Sequence, residues 1–183
     1  GELPSRIHLF QALPKGDKME MIVQKAVELG VYRIIPVEAK RCVVKLDRKK
    51  ASARVARWQG IAEAAAKQSR RAVIPQVTPP LPFAHAVEEA GKMDVKLIPY
   101  ELAEDMSRTR RVMESLAPGQ DIAVFIGPEG GFEETEAEAA LARGIEPVTL
   151  GKRILRTETA GLAVLSWMMY MLEEGREEGK GAV

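Results

Sequence analysis

Ile122-Ala-Val-Phe-Ile-Gly-Pro-Glu-Gly-Gly-Phe132 decides how this 183-residue chain folds. Ile122–Ile126 is a continuous apolar run that passes straight into Gly127, Gly130 and Gly131, and then into a helix expected from Glu133 to Arg143. A strand apolar on both faces belongs to a parallel sheet covered by helices on either side, because a half-exposed strand alternates instead. Outward from that stretch the same pattern repeats. Ile7–Leu13, Val31–Val37, Val73–Val77, Val95–Pro99 and Pro147–Leu150 read as further strands. Between them, helices are expected from Asp17, as cap, to Leu29 with Gly30 as the stop, from about Asp47 to Arg71, over Pro82–Ala90 and over Arg108–Leu116. A last helix, Glu158–Glu174, closes the domain. The expectation is an α/β fold with a parallel sheet over residues 1–174, followed by a polar, glycine-rich tail, 175–183, that frays.

Composition narrows the function classes. At 46% hydrophobic residues the chain can bury a core without staples. Cys42 is the single cysteine, so no internal disulfide forms, and a reducing, cytoplasmic setting is expected. His8 and His85 are the only histidines and lie far apart, and no paired metal-ligand spacing occurs, so no metal is expected and no Ser–His–Asp or Cys–His arrangement assembles. The longest apolar stretch, Ala160 to Leu172, falls short of the roughly 17–25 residues that span a bilayer. Glu2 and Arg6 interrupt any signal-peptide core. The formal charge of +1 hides a split. Residues 1–75 hold 16 Lys/Arg against 7 Asp/Glu, and residues 76–183 hold 11 against 19. The basic flank, Lys40, Arg41, Lys45, Arg48, Lys49, Lys50, Arg54 and Arg57, then Gln68, Ser69, Arg70 and Arg71, is either a footprint for nucleic acid or a solvated helix face.

The glycine stretch after Ile126 would lie outside the carboxyl ends of the strands, where open α/β sheets bind ligands. Its spacing is neither the dinucleotide fingerprint nor the phosphate loop. Glu133, Glu134 and Glu136 open the next helix, suiting its dipole but repelling a phosphate, so a zwitterionic or cationic ligand fits better than a nucleoside triphosphate. The bland alternative is a glycine-rich turn. A second stretch, Leu150-Gly-Lys-Arg-Ile-Leu-Arg-Thr-Glu-Thr-Ala-Gly161, interleaves cations with Ile154 and Leu155, and Thr157 is placed to cap the last helix. That helix is apolar nearly all round, which requires either self-association or full burial within one chain.

Together, Gly127-Pro-Glu-Gly-Gly-Phe132 and Leu150–Ala160 closely resemble the bacterial small-subunit rRNA uridine-N3 methyltransferases, a branch of the knotted SPOUT superfamily. Lys15-Gly-Asp-Lys-Met19, Glu28-Leu-Gly-Val31, the Pro36 to Arg41 region, and Gln68-Ser69 with Arg71 and Pro75 look like landmarks of the same family. The resemblance implies a C-terminal trefoil knot, a homodimer packed through the last helix, and S-adenosylmethionine as cofactor. It implies a cofactor pocket from Ile126, Gly127, Gly130, Gly131, Leu150, Gly151, Ile154 and Leu155, with Pro99 in the lining stretch Ile98–Tyr100. Ribosomal RNA or the small subunit would be the partner, met by Lys40, Arg41, Gln68, Arg70 and Arg71. Uridine N3 is protonated at neutral pH, so Arg156 is expected to stabilise charge on the base, and Glu158 or Glu129 to orient it or accept its proton. Family members carry a small RNA-binding β-barrel ahead of this domain, for which this chain has no room. Lys67 also stands where the family has an acidic residue. A non-catalytic RNA-binding module and a ribose 2′-O-methyltransferase are the alternatives.

Overall fold

A computed structural model of the chain describes residues 1–100 and 105–178, with side chains as far as Glu173. The elements are β1 (Arg6–Ala12), α1 (Lys18–Glu28), β2 (Arg33–Glu38), α2 (Arg48–Gln68), β3 (Gln76–Val77), β4 (Leu81–Pro82) and α3 (Phe83–Ala90). They continue with β5 (Val95–Pro99), α4 (Met106–Glu114), β6 (Asp121–Ile126), α5 (Glu134–Ala142), β7 (Glu146–Val148) and α6 (Thr157–Glu178). Every strand pairing is parallel, in the order β3-β2-β1-β6-β5-β7, with β4 also beside β2. The parallel α/β fold expected from the apolar strands is present.

Right-handed crossovers explain the layers. Moves from β1 to β2, β2 to β3 and β5 to β6 run in one direction along the sheet and put α1, α2 and α4 on one face. Moves from β4 to β5 and from β6 to β7 run the other way and put α3 and α5 on the opposite face. Accordingly α1 packs on α2, α3 packs on α5, and α6 joins the first layer against α1 and α4. Val164, Leu165, Met168 and Leu172 form the buried stripe of α6. Phe10 and Phe125 stack at 4.6 Å, Phe83 meets Phe125 edge-on, and Phe132 tilts against Phe83 at 5.2 Å. This aromatic chain pins the end of the glycine stretch to the core.

Several local expectations are corrected, each for a visible reason. The strand expected over Val73–Val77 shrinks to Gln76–Val77, because the Glu2 carboxylate accepts hydrogen bonds from the Ala72 and Val73 N–H groups and withdraws them from the sheet. Asp47 caps α2 by accepting from Lys50 N–H at 2.9 Å, whereas the Asp17 side chain makes no cap bond. The second helix stops at Gln68. Arg70 there takes φ +58°, and the Arg71 N–H returns to Ala66 O, a closure usually built on glycine. Helix α6 continues past Glu174 to Glu178, since one glycine at 175 costs only about 1 kcal/mol in a long helix. The remaining tail, 179–183, lies outside the described residues.

Candidate active site

Strands β6, β5 and β7 are neighbours and end level with one another. Leu97 pairs with Val124, and Pro99 with Val148, so Ile126, Pro99 and Val148 share one rim. Tyr100 N–H donates to Val148 O at 3.0 Å just beyond it. From this rim leave the stretch 127–133 and the stretch 149–156, and a ligand of an open parallel sheet binds at such carboxyl ends. Gly151, at φ +109°, turns the second stretch, and the Thr149 hydroxyl accepts its N–H. Leu150 packs against the core and Leu155 is half-buried. Ile154 departs from expectation. It is 92% exposed, as its neighbours Lys152, Arg153 and Arg156 are exposed, so within one protomer it does not wall the rim.

The glycine stretch is held by residues that sequence reasoning gave other tasks. Gly131 (φ +70°) closes a turn by donating its N–H to Pro128 O. A Cβ at Gly127 would come within 3.3 Å of the Phe132 ring and 3.4 Å of the Gly131 backbone, so only glycine fits without a shift. Arg41 donates to Gly130 O at 2.8 Å. Lys40 pairs with Glu133 at 3.0 Å, and its backbone N–H donates to Glu136 at 2.7 Å. The second Glu136 oxygen accepts the Glu133 N–H. The acidic helix start is therefore answered from within. Glu136 is buried rather than offered to a ligand, and Lys40 and Arg41 clamp this loop while remaining exposed.

Charged groups gather beside the rim. Glu129 accepts from Lys15 N–H at 2.9 Å and from Lys18 Nζ at 3.0 Å. Partial burial works to raise its pKa, but these donors outweigh it and hold the carboxyl below its ordinary value. These bonds fix the Glu129 carboxylate in place beside the rim. Glu158 is mostly buried, lies 3.9 Å from Lys18, and one of its oxygens has no hydrogen-bond partner. Arg156 is exposed, and among the described residues its guanidinium forms no hydrogen bond or ion pair. Thr157 is not the helix cap expected of it. Its hydroxyl accepts from Gln11 Nε2 at 2.9 Å and donates to Gly127 O at 2.7 Å. Sequence reasoning missed Gln11, Lys18 and Glu136 here. Lys18 stood within the landmark Lys15–Met19 and Glu136 among the carboxylates that open α5, but neither had been given this task, and Gln11 had been given none.

Gln68, Arg70 and Arg71 are not brought to this site within one chain. The 21 residues of α2 place its ends about 30 Å apart, with Lys40 and Arg41 near the first and these three at the other. Arg71 is moreover committed: 4% exposed, it donates to Val27 O and Val31 O and pairs with Glu2. It is removed from the phosphate-contact set. A shallow groove between α1 and α2, lined by Gly16, Asp17, Glu20, Ala53, Arg54, Arg57 and Trp58, shares no residue with the rim. Among the described residues no cluster of three His, Cys, Asp or Glu could hold a metal, and no helix is long and apolar enough to cross a membrane.

A parallel α/β domain with a glycine stretch and a second irregular stretch leaving its carboxyl strand ends has the layout of an open-sheet ligand-binding protein. The chain belongs to the RNA methyltransferase domain family, whose model matches residues 1–169. It is 40% identical over 175 residues to ribosomal RNA small subunit methyltransferase E of Bacillus subtilis (strain 168), covering 94% of this chain and 68% of that one. A Synechocystis protein of the same name is 37% identical over 94% of this chain, which spans 55% of that relative. The crystal structure of a ribosomal RNA small subunit methyltransferase E from Neisseria gonorrhoeae bound to S-adenosyl methionine superposes with a TM-score of 0.79 at 39% identity, covering 93% of this chain and 68% of that one.

Proposed function

We propose that this chain methylates N3 of a uridine in small-subunit ribosomal RNA, using S-adenosylmethionine, as a cytoplasmic homodimer. One observation carries the reading. The two family stretches, Gly127–Phe132 and Leu150–Arg156, leave the carboxyl ends of β6 and β7 on either side of β5, and Thr157, next after the second stretch, donates to Gly127 O in the first. Ile126, Gly127, Gly130, Gly131, Pro99, Leu150, Gly151 and Leu155 would hold the cofactor, with backbone groups and apolar side chains that suit an adenosine and a sulfonium. Glu158 Oε2, 3.9 Å from Lys18 and without a hydrogen-bond partner, supports an N–H donated by the bound ligand or base. S-adenosylmethionine supplies an electrophilic methyl group.

The chain's own residues account for the rest. Arg156, exposed at the exit of the second stretch, stabilises negative charge as the uracil loses its N3 proton. Glu158 orients the base or accepts that proton, and Glu129 keeps Lys18 in place. Two structural elements of the reading rest on chain path. From β6 the chain passes over β5 to β7 and returns so that α6 packs on α1, a path that supports the trefoil knot. The half-buried Trp167, Met169 and Met171 would offer apolar surface on α6 to a second copy.

Calorimetric titration with S-adenosylhomocysteine, followed by methyl transfer to small ribosomal subunits and nucleoside analysis of the product, tests the proposal. Binding and N3-methyluridine are expected. A folded protein that binds RNA but no S-adenosylhomocysteine is instead a non-catalytic module, and a 2′-O-methylated product is instead a ribose methyltransferase.

A further inference from the structure

Gln11 is a fully buried polar side chain at the carboxyl end of β1, beside Ile126 in the ladder and so one residue away from the glycine stretch. Its amide nitrogen donates twice, to Ala12 O at 2.9 Å and to Thr157 Oγ1 at 2.9 Å. A backbone carbonyl can only accept, so the Ala12 contact fixes which end of the amide is nitrogen. Thr157, having accepted one proton, gives its own to Gly127 O. The three groups make a one-directional relay, from Gln11 through Thr157 to Gly127.

We infer that Gln11 and Thr157 are positioning residues that set the shape of the cofactor loop by fixing the Gly127 carbonyl. The relay joins three segments distant in sequence: the end of β1, the first residue after β6, and the first residue of α6. It lies in the interior, where a hydrogen bond is geometrically demanding and an unmet group is costly. An apolar pair of the same size would fill the same space without fixing that carbonyl. Polar groups stand here although Gln11 Oε1 is itself left buried without a hydrogen-bond partner, so the relay is kept for the donor it aims at the Gly127 carbonyl. Neither residue touches the reacting atoms. The inference rests on the cofactor reading above, and its test includes one readout that does not.

Thr157→Val keeps the shape and removes the hydroxyl, Thr157→Ser keeps the hydroxyl, and Gln11→Leu with Thr157→Val replaces both polar groups together. In the ligand-free protein, amide hydrogen exchange over residues 129–132 is expected to speed up about tenfold in Thr157→Val and in the double variant, but not in Thr157→Ser. S-adenosylhomocysteine affinity is expected to fall about tenfold in the same two variants, with KM for the methyl donor rising more than kcat falls. The double variant recovers thermal stability relative to Thr157→Val without recovering either loop readout. Wild-type exchange and affinity in a folded Thr157→Val protein would overturn the inference, as would a double variant whose loop recovers along with its stability. Wild-type protein that shows the exchange pattern but binds no S-adenosylhomocysteine would sink the cofactor reading and leave the relay as an organiser of the loop.

Discussion

Lys18 Nζ lies 3.0 Å from Glu129 Oε1, and this pairing separates the two carboxylates that flank it. Glu129 Oε1 is hydrogen-bonded by Lys18 and by the Lys15 N–H, while Glu158 Oε2 faces the same ammonium at 3.9 Å, beyond hydrogen-bond reach, and has no hydrogen-bond partner. Glu129 is thereby a fixture and Glu158 a group able to act. Glu129→Gln should lower turnover less than about tenfold, and Glu158→Gln should lower it by about 100-fold or more. Methyl-transfer rates at saturating donor decide between them, and equal losses in the two variants would return Glu129 to the reaction.

Arg156→Ala should reduce kcat by about 100-fold, the order expected for loss of one group that stabilises developing negative charge. S-adenosylhomocysteine affinity should stay within about threefold of wild type, because the guanidinium is exposed and, among the described residues, forms no hydrogen bond or ion pair. Turnover retained in Arg156→Ala would remove this residue from the mechanism.

At the amino ends of the strands, His8 Nδ1 accepts from Arg33 Nε, and its Nε2–H faces Asp121 at 2.8 Å. Burial lowers the His8 pKa, the Asp121 contact only partly offsets this, and the Arg33 and Arg6 charges push the same way as burial. The folded protein therefore prefers neutral imidazole. Its contribution is complete above the ordinary histidine pKa of about 6.5, and is lost as pH falls from there through the lowered folded value. Asp121, held down chiefly by its bond from Arg6, loses its contribution at still lower pH in the same direction. Urea midpoints between pH 7.5 and 5 should fall with a His8 slope of no more than about 1.4 kcal/mol per pH unit. His8→Gln, which keeps a donor and an acceptor but does not titrate, should flatten that segment. An unchanged slope would mean that His8 titrates alike in the folded and the unfolded chain.

Some of this architecture is written locally and some is not. Ile122–Ile126 and Gly127–Gly131 are legible because strand apolarity and glycine spacing depend on near neighbours, and Asp47 reads as a cap for the same reason. The role of Glu136 is not legible. A first-turn carboxylate looks like a dipole complement whether or not a backbone N–H 96 residues away turns it inward. Arg71 belongs with it: among Arg70, Arg71 and Lys67 nothing in the sequence marks which one Glu2 will draw inside. Contiguity also misled. The basic flank reads as one patch, yet the helix that carries it spans the sheet and divides it into two ends.

Arg70 and Arg71 should respond to substitution in opposite directions. Arg70 holds a left-handed backbone at φ +58° that costs an L-residue about 1 kcal/mol, so Arg70→Gly should raise Tm by about 1–4 °C. Arg71→Met should destabilise by about 2–3 kcal/mol, less than a fully buried pair because Glu2 keeps some contact with water. Thermal unfolding of the two variants side by side checks both signs. A stabilising Arg71→Met would show that the carbonyls of Val27 and Val31 find water once the guanidinium is gone.

The division of the basic flank also predicts where RNA phosphates are met. Helix α2 starts on the rim side of the sheet, since its approach segment leaves the carboxyl end of β2. Arg48, Lys49 and Arg54 are exposed on its first turns and, among the described residues, form no ion pair, whereas Arg57 is held by Glu20. Lys67 is exposed as well but lies near the far end, about 30 Å away. Neutralising one cation that binds a phosphate should reduce the slope of log affinity against log salt by about 1. On the proposed substrate, Arg48→Gln with Lys49→Gln should flatten the slope by about 2, while Lys67→Gln should leave it unchanged. A Lys67→Gln protein whose slope flattens by about 1 would place the RNA across the whole length of α2, and two unaltered slopes would move the phosphate path off this helix altogether.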